Sequence, residues 1–482
     1  GKAQKLEVAV TMHKDLLEAV HSVLRSWHTA APEDLPWAEM LTVARRLAAS
    51  PTPDPALAVK DTVLEALNAL EEQAGSEGAQ ILRLRFLDGY TATATANRLN
   101  LSEDMVYKRQ RAAILELAQF IWQAELEACS IKEARIAQRL EIKDPPLLFG
   151  TDDKLAQLTA VLTSDDSPWL VAVIGIGGIG KTSLADAGVR ALASRPIFDD
   201  IAWVSARQER FVVWNGLQAA PEGTPALTVE RFVDAVIQQF GFDDLSQLAL
   251  DAKVEKVRAR LKERPYLVVI DNLETAVDYR ALVPTLLVMT NPTKILLTSR
   301  HSLHDYPGIL CLSLDELSAA DSLALLRHEA RERGMHGVAT APDDTLRPVH
   351  DVAGGNPLAL KLLVGQMHTL SLPRVVEALR QARGQKIEEL YRFIYWRSWQ
   401  LLSDESRRVL AIMPLVAESG GGLAQIAALS EVAEEKLAAP LNQLVTLCLV
   451  NVLGTIEARR YGIHRLTETF LLNEVLKWQT ES

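Results

Sequence analysis

The sequence predicts a multidomain α/β plus α protein, with a parallel sheet flanked by helices and all-α regions on either side. Apolar strand-like runs alternate with helical patterns in the middle of the chain, which is typical of a parallel sheet covered on both faces. Helical spacing of apolar residues dominates before and after this region. The length of 482 residues exceeds one ordinary core and indicates about three or four domains.

Each strand is predicted from a short, nearly continuous apolar run, and helical patterns such as TVERFVDAVIQQF lie between the runs. The five strand candidates are WLVAVIG (169–175), DIAWVSA (200–206), YLVVIDN (266–272), KILLTS (294–299) and GILCLSL (308–314). From about Ser318 onward the pattern is mostly helical, with CLVNVLG (448–454) as a short strand candidate.

Composition excludes several classes of protein. A net charge of −11 argues against wholesale wrapping of nucleic acid or an anionic membrane, although one small basic module fits within it. The N-terminus lacks the apolar core of a signal peptide, and no apolar run approaches the roughly 18 residues of a membrane span. Cys129, Cys311 and Cys448 are scattered, as in a reducing compartment. We therefore expect a cytoplasmic protein without a membrane partner.

A glycine-rich loop follows the first predicted strand. Gly175, Gly180, Lys181 and Thr182 satisfy G-x-x-x-x-G-K-[ST], with a strand before the motif and a helix after it. Such a loop curls so that its amides face phosphate oxygens, and the lysine adds a full positive charge. The predicted phosphate-binding residues are Gly177, Gly178, Ile179, Gly180, Lys181, Thr182 and Ser183.

A magnesium site and a phosphate sensor are expected at the ends of neighbouring strands. Asp271 follows five apolar residues, and with the Thr182 hydroxyl it offers the oxygen ligands that Mg²⁺ prefers. KILLTSR ends in Thr298, Ser299 and Arg300, which we expect to report on a terminal phosphate. For Arg300 taken alone, the alternative is a solvated loop charge. Lys181, Asp271 and Arg300 are therefore the candidate catalytic residues.

These motifs occur in the order of a known family. The chain resembles the signal-transducing NTPases with numerous domains (STAND), in particular the NB-ARC type, over roughly residues 144–476. The resemblance implies adenine nucleotide, ADP or ATP, with Mg²⁺. It rests on four stretches: LLFGTDDKLAQL, the sensor strand KILLTSR, GGNPLAL and YGIHRLTETFL. The resemblance implies that Leu148 and Phe149 of the first stretch lie at the base and ribose. It likewise implies that Pro357 of the third packs on the adenine and that His464 of the fourth contacts the β-phosphate.

The sequence departs from the family pattern at three places. Thr151 and Asp152 stand where an arginine and a glutamate are usual, and Arg465 replaces the aspartate of the histidine motif. Asn272 replaces a second acid after Asp271, and a neutral amide cannot act as a general base. We therefore expect slow hydrolysis unless Glu274 reaches the attacking water.

The resemblance implies a switch that is held closed by ADP at rest and assembles into a ring after exchange for ATP. A charge-assisted hydrogen bond from His464 is worth roughly 1.5–3 kcal/mol. Driving a two-state equilibrium from mostly closed to mostly open takes about 5.5 kcal/mol. His464 must therefore act together with Arg300 and an unknown upstream signal. A turnover motor is the alternative that Asn272 disfavours.

Residues 81–118 read as helix, turn and helix, with Gly89 ending the first helix and Ser102 as an N-cap. The pattern is similar to the fourth region of sigma factors, which implies binding of double-stranded DNA through the major groove. The candidate DNA-binding residues are Ser102, Tyr107, Lys108, Arg109 and Arg111. The local charge is only mildly basic, so a scaffold that recruits a protein partner remains the alternative.

The predicted domains follow from these boundaries. They are an N-terminal helical segment (1–56), a sigma-like helix-turn-helix module (57–143), a P-loop domain (144–316), a helical domain (317–385) and a winged-helix domain (386–482). Family members usually continue into sensor repeats, so we expect this chain to be a fragment whose activating signal is not encoded here.

Overall fold

The computed structural model describes most of the chain. The described residues are 15–29, 36–50, 52–74, 77–140, 147–206, 209–212, 216–219, 227–276, 279–367, 371–381, 399, 402–416, 420–446, 449–454, 459–463, 467, 470, 471 and 475. The chain divides into two compact units, one of Gly1–Arg139 with Arg190–Asp199 and one of Leu140–Val189 with Asp200–Ser482.

A five-stranded sheet organises the second unit, and it confirms the predicted parallel sheet. Its strands are β1 (Leu170–Ile174), β2 (Ile201–Ser205), β5 (Leu267–Asp271), β6 (Lys294–Ser299) and β7 (Ile309–Ser313), in the order β2-β5-β6-β1-β7, and every pairing is parallel. Strands β1, β5 and β6 are buried along their whole length, which explains their continuous apolar runs. An antiparallel hairpin that the sequence pattern did not predict is formed by β3 (Glu209–Val212) and β4 (Gly216–Ala219).

Among the described residues of this unit, one α-helix precedes the first strand of the sheet, and four more lie between its strands. They are α7 (Asp152–Thr163), α8 (Lys181–Leu192), α9 (Val229–Phe240), α10 (Leu250–Glu263) and α11 (Tyr279–Met289). The predicted helix α9 is amphipathic: Phe232, Val233, Val236 and Ile237 are buried at helical spacing. The side chain of Thr228 caps its first turn, and Gly241 ends it in the left-handed conformation.

The rest of the second unit is mostly helical, as predicted. Its helices are α12 (Ala319–Glu332), α13 (His336–Ala339), α14 (Asp343–Ala353), α15 (Pro357–Gln366), α16 (Leu372–Gln381), α17 (Asp404–Ile412), α18 (Leu423–Ser430) and α19 (Ala438–Thr446). An antiparallel pair, β8 (Val450–Gly454) and β9 (Arg459–Ile463), follows and includes the strand predicted within 448–454. One apolar cluster joins these elements.

The first unit consists of helices. They are α1 (residues 15–25), α2 (Leu41–Ala49), α3 (Pro55–Ala74), α4 (Glu77–Leu82, continued by a π-helical turn at Arg83–Leu87), α5 (Ala92–Leu99) and α6 (Glu103–Arg139). Within the described residues, none of the helices is both long and apolar enough to cross a membrane.

Helices α5 and α6 are joined by the tight turn that the sequence predicts. Asn100 adopts a left-handed conformation with φ of 55° and ends α5. The hydroxyl of Ser102 accepts a hydrogen bond from the Met105 amide at 3.2 Å, as an N-cap does. Helix α6 then continues for 37 residues, so the second helix of the motif and the charged helix after it form one element.

Helix α6 anchors the first unit through two buried charged side chains. Glu125 accepts hydrogen bonds from the amides of Leu41 (2.6 Å) and Thr42 (2.9 Å) and from the Thr42 hydroxyl (2.7 Å). These amides begin α2, whose partial positive charge favours a carboxylate. Two turns further along α6, Lys132 donates to the carbonyl oxygens of Arg195 (3.0 Å) and Phe198 (2.6 Å).

We expect Glu125→Ala to destabilise the start of α2 by about 2–4 kcal/mol, because it leaves buried donors without their charged acceptor. Hydrogen–deuterium exchange of a peptide covering residues 40–46 measures this loss as faster exchange. Glu127→Ala, an exposed glutamate on the same helix, serves as the control. Equal protection in both variants would contradict the proposed anchoring.

Candidate nucleotide-binding site

The glycine-rich loop lies between the end of β1 and the start of α8, at the carboxyl edge of the parallel sheet. Gly178 and Gly180 have φ of +77° and +104°, which a residue with a side chain rarely adopts. A Cβ atom at Gly178 would also lie 2.8 Å from Cβ of Leu358. Glycine is therefore required at this position by both backbone conformation and space.

Lys181 begins helix α8 and turns its ammonium group back over the loop. Its Nζ atom donates to the carbonyl oxygens of Gly175 (2.8 Å) and Ile176 (2.9 Å), and the residue is buried. The ammonium group, the loop amides and the N-terminus of α8 all concentrate positive charge in one place. Such an arrangement suits a phosphate group.

Asp271 is the centre of a hydrogen-bond network at the ends of β5 and β6, and it is fully buried. Its Oδ1 atom accepts from the hydroxyls of Thr182 (2.8 Å) and Thr298 (2.5 Å), and its Oδ2 atom accepts from the side-chain amide of Asn272 (2.9 Å). Asn272 has φ of 59°, and its backbone amide donates to the Thr298 hydroxyl at 2.9 Å. An acid at position 272 would repel the Asp271 carboxylate instead of donating to it.

Arg300 is held by Glu274. The guanidinium Nε atom lies 3.1 Å from Oε1 of Glu274, and the backbone amide of Arg300 donates to Oε2 at 3.1 Å. The Glu274 side chain is only 7% exposed, so solvent screens this pair weakly. Burial lowers the pKa of the neighbouring His301, with the Glu274 carboxylate opposing that shift. His301 is therefore neutral near pH 7 and adds no charge next to Arg300.

The GGNPLAL motif contacts the glycine-rich loop directly. Asn356 is fully buried, and its side-chain amide donates to the carbonyl oxygen of Gly177 at 3.0 Å. The backbone amide of Leu358 lies 3.3 Å from the carbonyl oxygen of Gly178. Pro357, the predicted adenine contact, is half-buried at the start of α15. The helical domain and the loop are thus joined by hydrogen bonds.

The other predicted site residues lie in several places. Leu148 and Phe149 precede α7, and the ring of Phe149 lies 5.7 Å from that of His328 on α12. Ile179 is buried and Ser183 is half-buried near the start of α8. His464 and Arg465 lie outside the described residues, so their roles remain predictions.

The predicted DNA-contacting residues lie at the start of α6, where Val106 is buried and Tyr107, Lys108 and Arg111 are exposed. Arg109 differs from the expectation of a free cation, because it forms an ion pair with Glu77 of α4. The start of α6 therefore offers Lys108 and Arg111 as exposed cations.

Two contacts of the site were not predicted from the sequence. Thr298, expected near a terminal phosphate, donates to the Asp271 carboxylate, and Asn356, which was assigned no role, donates to the loop. A polar residue at the end of a buried strand was a signal for Thr298. The neighbouring Gly-x-Pro pattern gave no indication that Asn356 faces the phosphate-binding loop.

The arrangement fits a magnesium nucleotide. The loop and Lys181 would hold phosphate groups, and Thr182 with Asp271 supplies hydroxyl and carboxylate oxygens for Mg²⁺. When bound, Mg²⁺ would neutralise charge on the phosphate oxygens. A loop with these residues between a parallel strand and a helix defines a P-loop nucleotide-binding domain.

The particular family follows from comparison with known proteins. Residues 151–332 match the family model of the NB-ARC domain. The chain therefore contains an NB-ARC domain at residues 151–332, as its motifs predicted.

Curated relatives of the chain are found in bacteria and plants. It is 23% identical over 270 residues to the transcription activator GutR of Bacillus subtilis, which covers 50% of this chain and 30% of GutR. It is 25% identical over 226 residues to the disease resistance protein RPP8 of Arabidopsis thaliana, covering 45% of this chain and 23% of RPP8. The matches thus span less than a third of each relative.

Solved structures give weaker likenesses. A Walker-type ATPase of Pyrococcus abyssi has a TM-score of 0.43 and 15% identity, covering 68% of this chain and 96% of its own. A STAND protein with a tetratricopeptide repeat sensor from Pyrococcus horikoshii has a TM-score of 0.30 and 16% identity, covering 67% and 42%. Because both TM-scores are low, the NB-ARC domain is identified from the family-model match to residues 151–332.

We expect Gly178→Ala to weaken ADP binding at least tenfold, measured by isothermal titration calorimetry. The new methyl group meets Leu358, and the positive φ costs about 1–2 kcal/mol for a residue with a side chain. Gly337→Ala in α13 is the matched control, since nothing lies within 4 Å of a Cβ atom there. Equal ADP affinity in the two variants would show that the loop tolerates a side chain.

Proposed function

We propose that this protein is a nucleotide-dependent signalling switch that holds ADP at rest, opens and self-associates after exchange for ATP, and thereby controls transcription. The ion pair between Arg300 and Glu274 is the observation that carries this proposal. This one ion pair occupies both the sensor arginine, Arg300, and the candidate general base, Glu274. A site arranged in this way favours holding a nucleotide over rapid turnover.

Arg300 must leave Glu274 before its guanidinium group can bind a third phosphate group. The nucleotide's own contacts must then compensate for the loss of a weakly solvated ion pair. Glu274 becomes available as a base only after the same rearrangement, while Asn272 cannot act as one. Sensing of the terminal phosphate therefore precedes any hydrolysis, which is the order expected of a switch.

A single contact is too weak to control the switch. Charge-assisted hydrogen bonds contribute roughly 1.5–3 kcal/mol each, and a nearly complete change of state takes about 5.5 kcal/mol. The proposed clasp by His464, the exchange of partners by Arg300 and an upstream signal must therefore act together. ATP is accordingly necessary and insufficient for activation.

The closing elements support the proposed order of domains. Helices α17, α18 and α19 followed by the β8–β9 pair have the sequence of elements of a winged helix, and the proposed histidine motif begins within β9. This placement agrees with a last domain that closes over the nucleotide through His464.

The proposal predicts that the purified protein carries ADP in close to a one-to-one ratio. Denaturing the protein and separating the released nucleotide by ion-pair chromatography measures this ratio directly. His464→Ala should lower it by weakening the clasp, and Arg258→Ala, at an exposed cation of α10, should leave it unchanged. An empty site combined with rapid ATP turnover would identify an enzyme instead of a switch.

Transcription control is supported by the turn between α5 and α6 and by the similarity to a transcription activator. We propose that the start of α6 enters the major groove of double-stranded DNA once the protein self-associates. Lys108 and Arg111 are its exposed cations, so each protomer makes few phosphate contacts. Assembly raises the effective concentration of such weak sites.

One observation favours a different output, the recruitment of a protein partner. Met105 and Tyr107 are 38% and 44% exposed on the first turns of α6, next to the acidic Glu103 and Asp104. Exposed apolar side chains with acidic neighbours suit a protein surface better than a phosphate backbone. The two outputs differ in how binding depends on salt: binding to DNA should weaken steeply as the salt concentration rises, whereas binding to a protein through apolar contacts should not.

We expect the ATP-loaded protein to bind a duplex oligonucleotide at low salt, measured by fluorescence anisotropy. The double variant Lys108→Ala/Arg111→Ala should bind the duplex more weakly. A plot of the logarithm of its binding constant against the logarithm of salt concentration should be shallower than that of the wild type, by about two in slope. Arg258→Ala/Lys436→Ala removes the same charge at exposed positions elsewhere and should bind like the wild type. Absence of DNA binding at low salt would favour the protein-recruiting scaffold.

A further inference from the structure

The carbonyl groups of the phosphate-binding loop have partners on two sides. Lys181 contacts the carbonyl oxygens of Gly175 and Ile176. The carbonyl oxygens of the next two residues, Gly177 and Gly178, face the start of helix α15 in the helical domain. Four successive carbonyl oxygens of the loop thus have hydrogen-bond donors, and those of Gly177 and Gly178 receive theirs from the start of α15.

The directions of these carbonyl groups determine the directions of the loop amides, because the peptide bond is planar. In a trans peptide the C=O of one residue and the N–H of the next point in opposite directions. Since the Gly177 carbonyl points at Asn356, the Gly178 amide points away from α15. The Gly178 carbonyl lies near the Leu358 amide, so the Ile179 amide also points away from α15. Successive amides with a common direction form an anion-binding nest.

Asn356 is suited to this position because it binds on two sides. Its Nδ2 atom donates to the Gly177 carbonyl at 3.0 Å. Its Oδ1 atom accepts from the amides of Leu358 (3.1 Å) and Ala359 (3.3 Å), which caps the first turn of α15. The side chain is fully buried, so water does not substitute for either partner.

The neighbouring glycine fixes the position of Asn356. A Cβ atom at Gly355 would lie 2.1 Å from the carbonyl oxygen of Leu317, and the Leu317 amide donates to the Gly355 carbonyl at 2.9 Å. The chain before Asn356 is therefore pinned against the segment that connects the sheet to α12. The asparagine amide is held where the loop passes.

We propose that Asn356 is a positioning residue for phosphate binding, which orients the Gly177–Gly178 peptide so that the loop amides face a nucleoside diphosphate. The inference rests on the proposed nucleotide site and adds a regulatory consequence to it. Because Asn356 belongs to the helical domain, docking of α15 strengthens phosphate binding. By thermodynamic linkage, phosphate binding then strengthens docking of α15 by the same factor.

Two substitutions separate the contact with the loop from the helix cap. Asn356→Ser keeps an oxygen that can cap α15 but is too short to reach Gly177. Asn356→Asp keeps the cap and places a carboxylate oxygen against the Gly177 carbonyl oxygen. Ser403→Ala is the matched control, because it removes the N-cap of α17 within the same unit and away from the loop.

The experiment measures the affinities of ADP and AMP, each with Mg²⁺, by isothermal titration calorimetry on the full chain. We expect ADP affinity to fall about five- to tenfold in Asn356→Ser, as for one lost hydrogen bond, and further in Asn356→Asp. AMP lacks the β-phosphate that the loop amides bind, so its affinity should change less and the preference for ADP over AMP should shrink. Ser403→Ala should preserve the preference.

Thermal unfolding of each variant shows whether a loss of affinity reflects a loss of structure. An Asn356→Asp protein that keeps the wild-type preference for ADP overturns the inference while the nucleotide switch stands. An equal loss of ADP and AMP affinity also overturns it, since a general structural effect then suffices. A wild-type protein without ADP affinity rejects the proposed function and the inference together.

Discussion

The phosphate-binding loop imposes the constraint on which the site depends: amides that converge on one side leave carbonyls on the other, and buried carbonyls need partners. Lys181 contacts the first two carbonyl oxygens, and the start of α15 contacts the next two. The sheet supplies the loop, and the helical domain supplies part of its hydrogen bonding. Nucleotide binding and domain docking therefore share one set of contacts.

The buried acidic groups at the edge of the sheet likewise have hydrogen-bond donors or an ion-pair partner. Asp271 is buried and accepts three hydrogen bonds, including one from Asn272, which a second acid could not provide. Glu274 is neutralised by Arg300. This arrangement stabilises a resting site and places the candidate base in an ion pair, so the features that slow hydrolysis also hold the sensor.

In the first unit, charged side chains are likewise buried only where the backbone offers complementary groups. Glu125 accepts from the first amides of α2, and Lys132 donates to two carbonyl oxygens. Both lie on α6, whose first turns carry the proposed output surface. One helix thus combines the anchoring of the unit with its proposed function.

The sequence by itself determined the five parallel strands, the phosphate loop, Asp271 and the turn before Ser102, because each depends on local pattern: continuous apolar runs, glycine spacing and capping residues. Tertiary structure decided which polar groups meet. Asn356 donates a hydrogen bond to Gly177, which lies 179 positions away in the chain. Glu274, which follows β5, forms an ion pair with Arg300, which follows β6, and Arg109 of α6 forms one with Glu77 of α4. Such pairings depend on chain packing, and no local pattern encodes which distant partner satisfies a buried polar group.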